Sequence, residues 1–562
     1  MRFTLISLIF LCSISYAQNS YPQDYFRDPL EIPLILAGSF AELRSNHFHS
    51  GLDIKTNQRE GIEVFSSAEG YVSRIKISLW GFGKVIYITH PNGYTTVYAH
   101  LQKFSDKIEE YIKKQQYKIE SFEVEVFPTE NEIPISKKEL IAYSGSTGGF
   151  MGPHLHFEIR DTKTEKTINP LQFGFNISDS TNPRINTIVA YALDSLSHIN
   201  KLNVPTQLTI TKLGNGNLIT NRIFAIGKIG FGLNTFDQFD AASNQNGIYS
   251  LQVLVNGEKV HQFEAKSFSF NETNLINVLI DYERFQTLKQ RIQKCFNEFS
   301  FDLSLTSFLK NGIITIEDGL TYNVEIIIKD FNGNSQKISI PITGKKDIIL
   351  SKEKENITSY KIKHIEFNEF SKDFAKVAFP KNTFYNDFYL NFEVTGKIVK
   401  VHSPIVPLAN NYTLTFDVSN YSEAEKNQLY IASISNNGKT NYETTIKKSN
   451  TFYTSIKKLG KFTLLFDNDK PIISLFNFKN EQWVSNHTNL KVKISDRESG
   501  IKSFRGEIDG KWILMEFDVT TNILTYNLKD ISYSEAKHNL KIVVIDNVGN
   551  LNTLESTFYR KK

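Results

Sequence analysis

The chain has 562 residues, enough for three to five domains and several hydrophobic cores. Charged residues make up 22% and the hydrophobic class 40%, which excludes wholesale disorder, collagen and coiled coil. A net charge of +4 spread over this length points away from nucleic acid and from a polybasic membrane surface, and two cysteines exclude a disulfide scaffold or a Cys-rich metal site.

In chain order, residues 1–17 read as a secretory signal. Arg2 is the charged start, Leu5 to Ile14 the apolar run, and Ser15-Tyr16-Ala17 the small-residue cleavage site. The run is too short to span a bilayer, which needs ~20 apolar residues. Cys12 follows Phe10 and Leu11 rather than the small residues of a lipid-attachment signal, and cleavage leaves Cys295 as the only thiol. The mature protein is expected to be exported, periplasmic or extracellular, with no integral membrane segment.

Residues 18–178 form a first domain holding six of the 12 histidines. Gly70 to Ile75 and Lys84 to Ile88 read as strands, with Pro91-Asn92-Gly93 as a turn. Phe104 to Lys118 has helical spacing, with Ile108, Tyr111 and Ile112 apolar among charges, and Phe122 to Val126 is strand-like.

Beyond residue 180 the pattern is all-β. A β-sandwich module over 180–345 carries a helical insertion at Tyr282 to Phe296. A β-rich region follows over 346–466, and an Ig-like β-sandwich over 467–562. One internal repeat stands out. Val324 to Lys329 runs into Asp330-Phe331-Asn332-Gly333-Asn334, and Leu540 to Ile545 into Asp546-Asn547-Val548-Gly549-Asn550. Each is an alternating strand closed by an Asp-x-x-Gly-Asn turn, a sign of two related modules.

The chemistry lies in three segments of the first domain: His49-Ser50-Gly51-Leu52-Asp53, Tyr98-Ala99-His100-Leu101, and His154-Leu155-His156-Phe157-Glu158 after a Gly-rich turn. On a strand, His154, His156 and Glu158 share one face while Leu155 and Phe157 enter the core. Two imidazoles and one carboxylate suit zinc and leave a fourth position for water, whose pKa the metal lowers to ~7. Two further histidines are then available to move protons and to stabilise the oxyanion. Taken singly, each segment has a bland reading as a surface pair or a satisfied strand-end histidine. Their combination, in this order, does not. His47 and His90 read as structural, and Glu158 as a partner of a ligand rather than a ligand.

His49-x-x-x-Asp53, Tyr98-Ala99-His100-Leu101, Ser144-Gly145-Ser146-Thr147-Gly148 and Gly152-Pro153-His154-Leu155-His156-Phe157-Glu158, with the trailing Ile168-Asn169-Pro170, resemble the lysostaphin/LytM-type zinc metallopeptidases over residues 36–174. The resemblance implies a small antiparallel β domain of duplicated hybrid motif type. It implies one Zn2+ held by His49, Asp53 and His156, with His100 and His154 as catalytic histidines. It implies hydrolysis of cross-links or stem peptides of bacterial peptidoglycan through a zinc-activated water.

Two departures from the family pattern stand out. Residues 104–139 are an insertion able to reshape the groove, and Lys84 replaces the usual Asn, a change expected to be harmless. The β modules are candidates for binding an envelope polymer or protein. The alternative function is a non-hydrolytic envelope protein that regulates a partner cell-wall hydrolase or acts in adhesion or assembly. All five candidate residues precede residue 160, so a chain ending at 178 is expected to keep zinc and small-peptide cleavage.

Overall fold

A computed structural model describes residues 21–561 except 150–151, 353–355 and 531–534. The export signal at 1–17, with Cys12, lies outside the described residues. No helix among the described residues is long and apolar enough to cross a membrane.

The N-terminal domain comprises β1 (Leu36–Gly38), β2 (Leu52–Lys55), β3 (Glu63–Phe65), β4 (Gly70–Ile77), β5 (Lys84–Thr89), β6 (Tyr94–Ala99), β7 (Leu101–Phe104), α1 (Asp106–Ile119), β8 (Val124–Val126), β9 (Pro134–Ile135), β10 (Leu140–Ser144), β11 (His154–Asp161) and β12 (Thr167–Ile168). The main sheet runs β1-β2-β11-β6-β5-β4-β8, and a small sheet β3-β10-β7 packs with it. Neighbours in the main sheet pair antiparallel, as a domain with one covered face permits. Leu155, Phe157 and Ile159 of β11 enter the core, so the alternate residues His154, His156 and Glu158 face the other way.

The insertion is ordered. Helix α1 buries Ile108, Ile112 and Gln116, and Glu120 in left-handed backbone ends it. Its outer side meets the last module: Lys113 pairs with Asp530 at 2.9 Å, Glu120 with Arg505 at 2.7 Å, and the Tyr117 ring packs edge-on to Trp512. Lys84 is buried and pairs with Glu516 of the same module at 2.9 Å. The residue expected to be harmless thus joins the two ends of the chain.

Residues 184–352 build a large mixed sheet around Ile223–Phe236, Ser250–Val255, Thr321–Lys329 and Ser335–Gly344. The helix within it is shorter than its periodicity predicts. It spans Tyr282–Leu288, ends at left-handed Lys289, and gives way to the strand Gln293–Lys294. Two five-stranded sheets over residues 368–466 follow, then a four- and a five-stranded sheet over 472–559.

The core of the N-terminal domain does not stop at residue 178. One apolar cluster runs from Phe26 to Ile342, whereas residues 362–464 and 478–558 hold cores of their own. Strand β12 pairs with Ser267–Phe268, and the fully buried Phe268 ring packs on Phe40 and Phe48 at 5.4 and 5.6 Å. A chain ending at 178 would expose this apolar seam to water. The Phe268→Ala variant is expected to lose about 3–5 kcal/mol of stability. In urea unfolding the N-terminal domain and the next module should shift together; a shift confined to the second would show their cores to be independent.

Candidate metal centre

Sheet register builds the site. Asp53 on β2 lies directly across from His156 on β11, and His156 lies across from Ala99 on β6, the residue before His100. Directly opposed residues hold their Cβ atoms about 4.5–5.5 Å apart. Asp53 and His156 are therefore forced together, and His100 is delivered to their side. His49 reaches the same point from the loop before β2, so the four-residue spacing works although only its second half is strand.

Three atoms converge: His49 Nε2, Asp53 Oδ1 and His156 Nδ1 lie 2.9–3.1 Å from one another, all on buried side chains. The outward atom of each is engaged elsewhere. His49 Nδ1–H donates to the Ser39 carbonyl at 2.8 Å, and His156 Nε2–H donates to Glu158 Oε1 at 2.9 Å. Arg44 Nη2 donates to Asp53 Oδ2 at 3.0 Å. These partners fix the tautomers, so both inward nitrogens present lone pairs, as does the inward carboxylate oxygen. Three acceptors facing one another have no proton to share and attract a cation. A tetrahedral zinc with ligands at ~2.0–2.1 Å separates them by about 3.3 Å, so the donor set and its spread fit that ion.

Burial alone would raise the Asp53 carboxyl, but its two imidazole neighbours outweigh burial and hold it well below the usual range, so it stays a carboxylate. Burial likewise opposes ionisation of Glu158, yet Arg160 beside it, then His156, bring it down to about 2. Arg160 Nε donates to Glu158 Oε2 at 2.6 Å, and Ser50 Oγ donates to Oε1. Glu158 is thus the buried anion that orients His156, as the sequence suggests.

His154 and His100 pack against each other at the edge of the triad with tilted rings, centroids 4.8 Å apart. His154 Nδ1–H donates to the Gly152 carbonyl and His100 Nδ1–H to the Thr147 carbonyl, each at 2.8 Å, so both Nε2 atoms present lone pairs. His154 Nε2 lies 3.6 Å from Asp53 Oδ1. Burial, then the neighbouring His156 and His154, lowers the His100 pKa to about 4, which keeps that ring neutral. His100 also holds left-handed backbone (φ 59°), a costly conformation for a residue with a Cβ and one over-determined by its surroundings.

The glycines act by close approach. A Cβ on Gly148 would lie 2.1 Å from the Gly83 nitrogen, and both residues have positive φ. The loop at 81–84 can therefore lie flat on the Gly-rich turn, where Thr147 Oγ1 accepts from Lys84 N and donates to the Leu101 carbonyl. Phe82, carried on this loop, packs its ring 5.0 Å from His156. Residues 150–151 of the turn lie outside the described residues. His90, read as structural, is buried between the Glu69 carbonyl and Thr96. His47 is outside the triad and bonds to Asn46. Sequence reading missed Ser39 and Arg44; the available signals were Gly38-Ser39 and an arginine five residues before His49.

Fold and site together define a metallopeptidase-type domain. Residues 47–117 match the model of Peptidase family M23, and residues 359–467 match a Zu5-like domain. The N-terminal domain is thus similar to the M23 peptidases. The chain is 32% identical over 118 residues to the DD-carboxypeptidase/endopeptidase Mpg of Neisseria meningitidis, covering 21% of each protein. It is 31% identical over 123 residues to an uncharacterized metalloprotease of Haemophilus influenzae, covering 22% of this chain and 20% of that protein. Cell division protein DipM of Caulobacter vibrioides is 28% identical over 131 residues, 23% of this chain and 17% of its own. The chain thus spans about a fifth of the length of these relatives. Among solved structures, the catalytic domain of lysostaphin from Staphylococcus simulans is similar over 25% of this chain and 91% of its own, at 20% identity and a TM-score of 0.19.

Glu158→Gln keeps the shape but removes the charge that holds His156 and Arg160. Zinc affinity should fall ~10–100-fold, measured by competition with a chromophoric chelator.

Proposed function

We propose that this protein is an exported zinc metalloendopeptidase that hydrolyses peptide cross-links or stem peptides of bacterial peptidoglycan. The observation that carries the reading is the convergence of three inward lone pairs from His49, Asp53 and His156, each fixed by an outward hydrogen bond. Bound there, zinc would supply Lewis-acid polarisation and acidify water. The chain's own groups supply the rest. His154 and His100 are each held through Nδ1, which leaves Nε2 to accept a proton and return it. As imidazolium, either would stabilise negative charge developing on the substrate oxygen.

The similarity to DD-carboxypeptidase/endopeptidase Mpg and to cell division protein DipM favours peptidoglycan as the substrate class. Beside the site, a cleft is lined by Glu60, Gln102, Ser146 and Gly152 on one side and by Glu516 and Asp518 of the last module on the other. A groove with walls from two modules suits an extended polymer better than a small peptide.

Replacing His49, Asp53 or His156 by Ala should empty the zinc site and abolish hydrolysis. Replacing His100 or His154 should leave most of the zinc and reduce turnover by ~10²–10⁴-fold. Metal analysis alongside peptidase rates separates the two groups. Loss of zinc in His100→Ala or His154→Ala would make that residue a ligand. Full zinc loading with no hydrolysis of any wall preparation would favour the non-hydrolytic regulator instead.

Directly cross-linked stem peptides are expected to be cut in preference to pentaglycine bridges. Fragment analysis of both wall types decides it, and efficient pentaglycine cleavage with intact direct cross-links reverses the order.

A further inference from the structure

The repeated Asp-x-x-Gly-Asn turns carry a second chemistry. In the module at 184–344, one carboxylate oxygen each from Asp179, Asp237 and Asp330 lies within 4.8 Å of the others. In the last module the same holds for Asp467, Asp496 and Asp546. Asp330 and Asp546 are the aspartates that open the two turns. Asp237 and Asp330 are each 2% exposed, and Asp467 and Asp546 are fully buried.

Acidic clusters alone mean little, but these contain buried oxygens with nothing to bind. Asp237 Oδ1, Asp179 Oδ2 and Asp546 Oδ2 have no hydrogen-bond partner. Asp546 shows the arrangement clearly. Its Oδ1 accepts the Val548, Gly549 and Asn550 amides, which leaves the buried Oδ2 without a donor. Among the described residues, no Lys, Arg or His forms an ion pair with any of the six. Lys447, which feels the Asp546 charge, spends its ammonium on the carbonyls of Lys426 and Asn427. Two buried carboxylates beside a half-buried third, with no counter-charge, are expensive in each cluster.

The two clusters are also built alike. Asn334 Nδ2 donates to the Asp179 carbonyl, and Asn550 Nδ2 donates to the Asp467 carbonyl. The last residue of each turn therefore ties the connector entering the module to the turn. Asp179 lies in the connector after the N-terminal domain, and Asp467 is the last residue of the Zu5-like match, where the chain enters the last module.

We propose that each cluster binds one calcium ion that clamps a connecting segment onto the end of its β module. The donors are all oxygen, which excludes a preference for zinc. Three carboxylates from three separate segments suit the 6–8 flexible oxygen ligands of calcium better than the strict octahedron of magnesium. The competing way to neutralise the first cluster is a proton shared between Asp179 and Asp237. Burial and then the Asp179 charge push the Asp237 carboxyl up to about 7. The clusters lie apart from the zinc-type triad, so the assignment stands independently of peptidase activity.

The test is equilibrium dialysis of the full chain, kept in zinc and freed of calcium, against radiolabelled Ca2+. Two ions per chain are expected. Asp237→Asn and Asp496→Asn, close to isosteric, should each bind one, and the double variant none, with zinc content unchanged in all three. Calcium should raise the unfolding temperature of the unsubstituted protein and slow proteolysis within 176–183 and 467–471. Fewer than two ions on the unsubstituted chain, or two that survive both substitutions, overturns the proposal. Full displacement by an equal concentration of Mg2+ overturns the assignment to calcium.

Discussion

Three acceptor atoms held about 3 Å apart in a dry site form an arrangement that a protein does not keep without reason. His49 Nε2, Asp53 Oδ1 and His156 Nδ1 repel one another unless a cation sits among them, and the chain commits a layer of partners to holding them so. Gly38 shows how tight that layer is. A Cβ there would come within 2.2 Å of Arg44 Nη2 and 2.8 Å of Asp53 Oδ2. The strand that delivers Ser39 to His49 can therefore pass beside the Arg44–Asp53 pair only with no side chain at that position.

The supporting layer does not end within the N-terminal domain. The loop bearing Ser39, Arg44 and His49 is held from outside: Ser39 Oγ bonds to Gly247, the Phe48 amide donates to Thr273 Oγ1, and Asn244 donates to the Ala37 carbonyl. On the other side, Arg160, which neutralises Glu158, lies 4.4 Å from the centroid of the Phe270 ring. Both routes of support for the metal ligands thus lead into residues 244–273. The shared apolar cluster from Phe26 to Ile342 is the packing counterpart of those polar contacts. The second module is part of the scaffold that fixes the ligands in place, and a site of this kind loses performance when its support shifts by about 1 Å.

What was legible in the sequence divides along physical lines. That the five candidate residues come together could be read because histidine and aspartate are few in this domain and their spacing follows strand periodicity. The period of two placed His154, His156 and Glu158 on one face, and the apolar Leu155 and Phe157 placed the other face in the core. The supporting groups could not be read so directly. Ser39 acts through its carbonyl, which every residue has, and Thr147 through both a carbonyl and a hydroxyl. The stretch from Tyr282 to Phe296 has helical spacing, yet the chain turns at Lys289 because Gln293–Lys294 pairs with the long central strand instead, a tertiary demand that local propensity does not see. Lys84 could not be read at all, since its partner Glu516 lies 432 residues away.

That ion pair bears on why the two ends of the chain meet. Lys84 opens strand β5 at the rim of the site, and its ammonium is almost without exposure. Burial favours the neutral amine, but the charges of Glu516 and Glu109 outweigh it and raise the Lys84 pKa. A buried ammonium kept charged needs its partner, so the geometry ties the position of Glu516 to the rim. Glu516 begins the stretch that, with Phe517 and Asp518, faces Ser146 and Gly152 across the cleft. Helix α1 adds Lys113–Asp530 and Glu120–Arg505 farther along the same face. Glu120–Arg505 is exposed and contributes little by itself, since exposed ion pairs are worth ~0–1 kcal/mol, whereas Asp530 is largely buried against Lys113. The function of both pairs is register: together with the buried Lys84 they leave one orientation of the last module in which all three charges are met. The insertion at 104–139 thus extends the peptidase domain sideways into a platform, and the far end of the chain sits on that platform as a wall of the cleft.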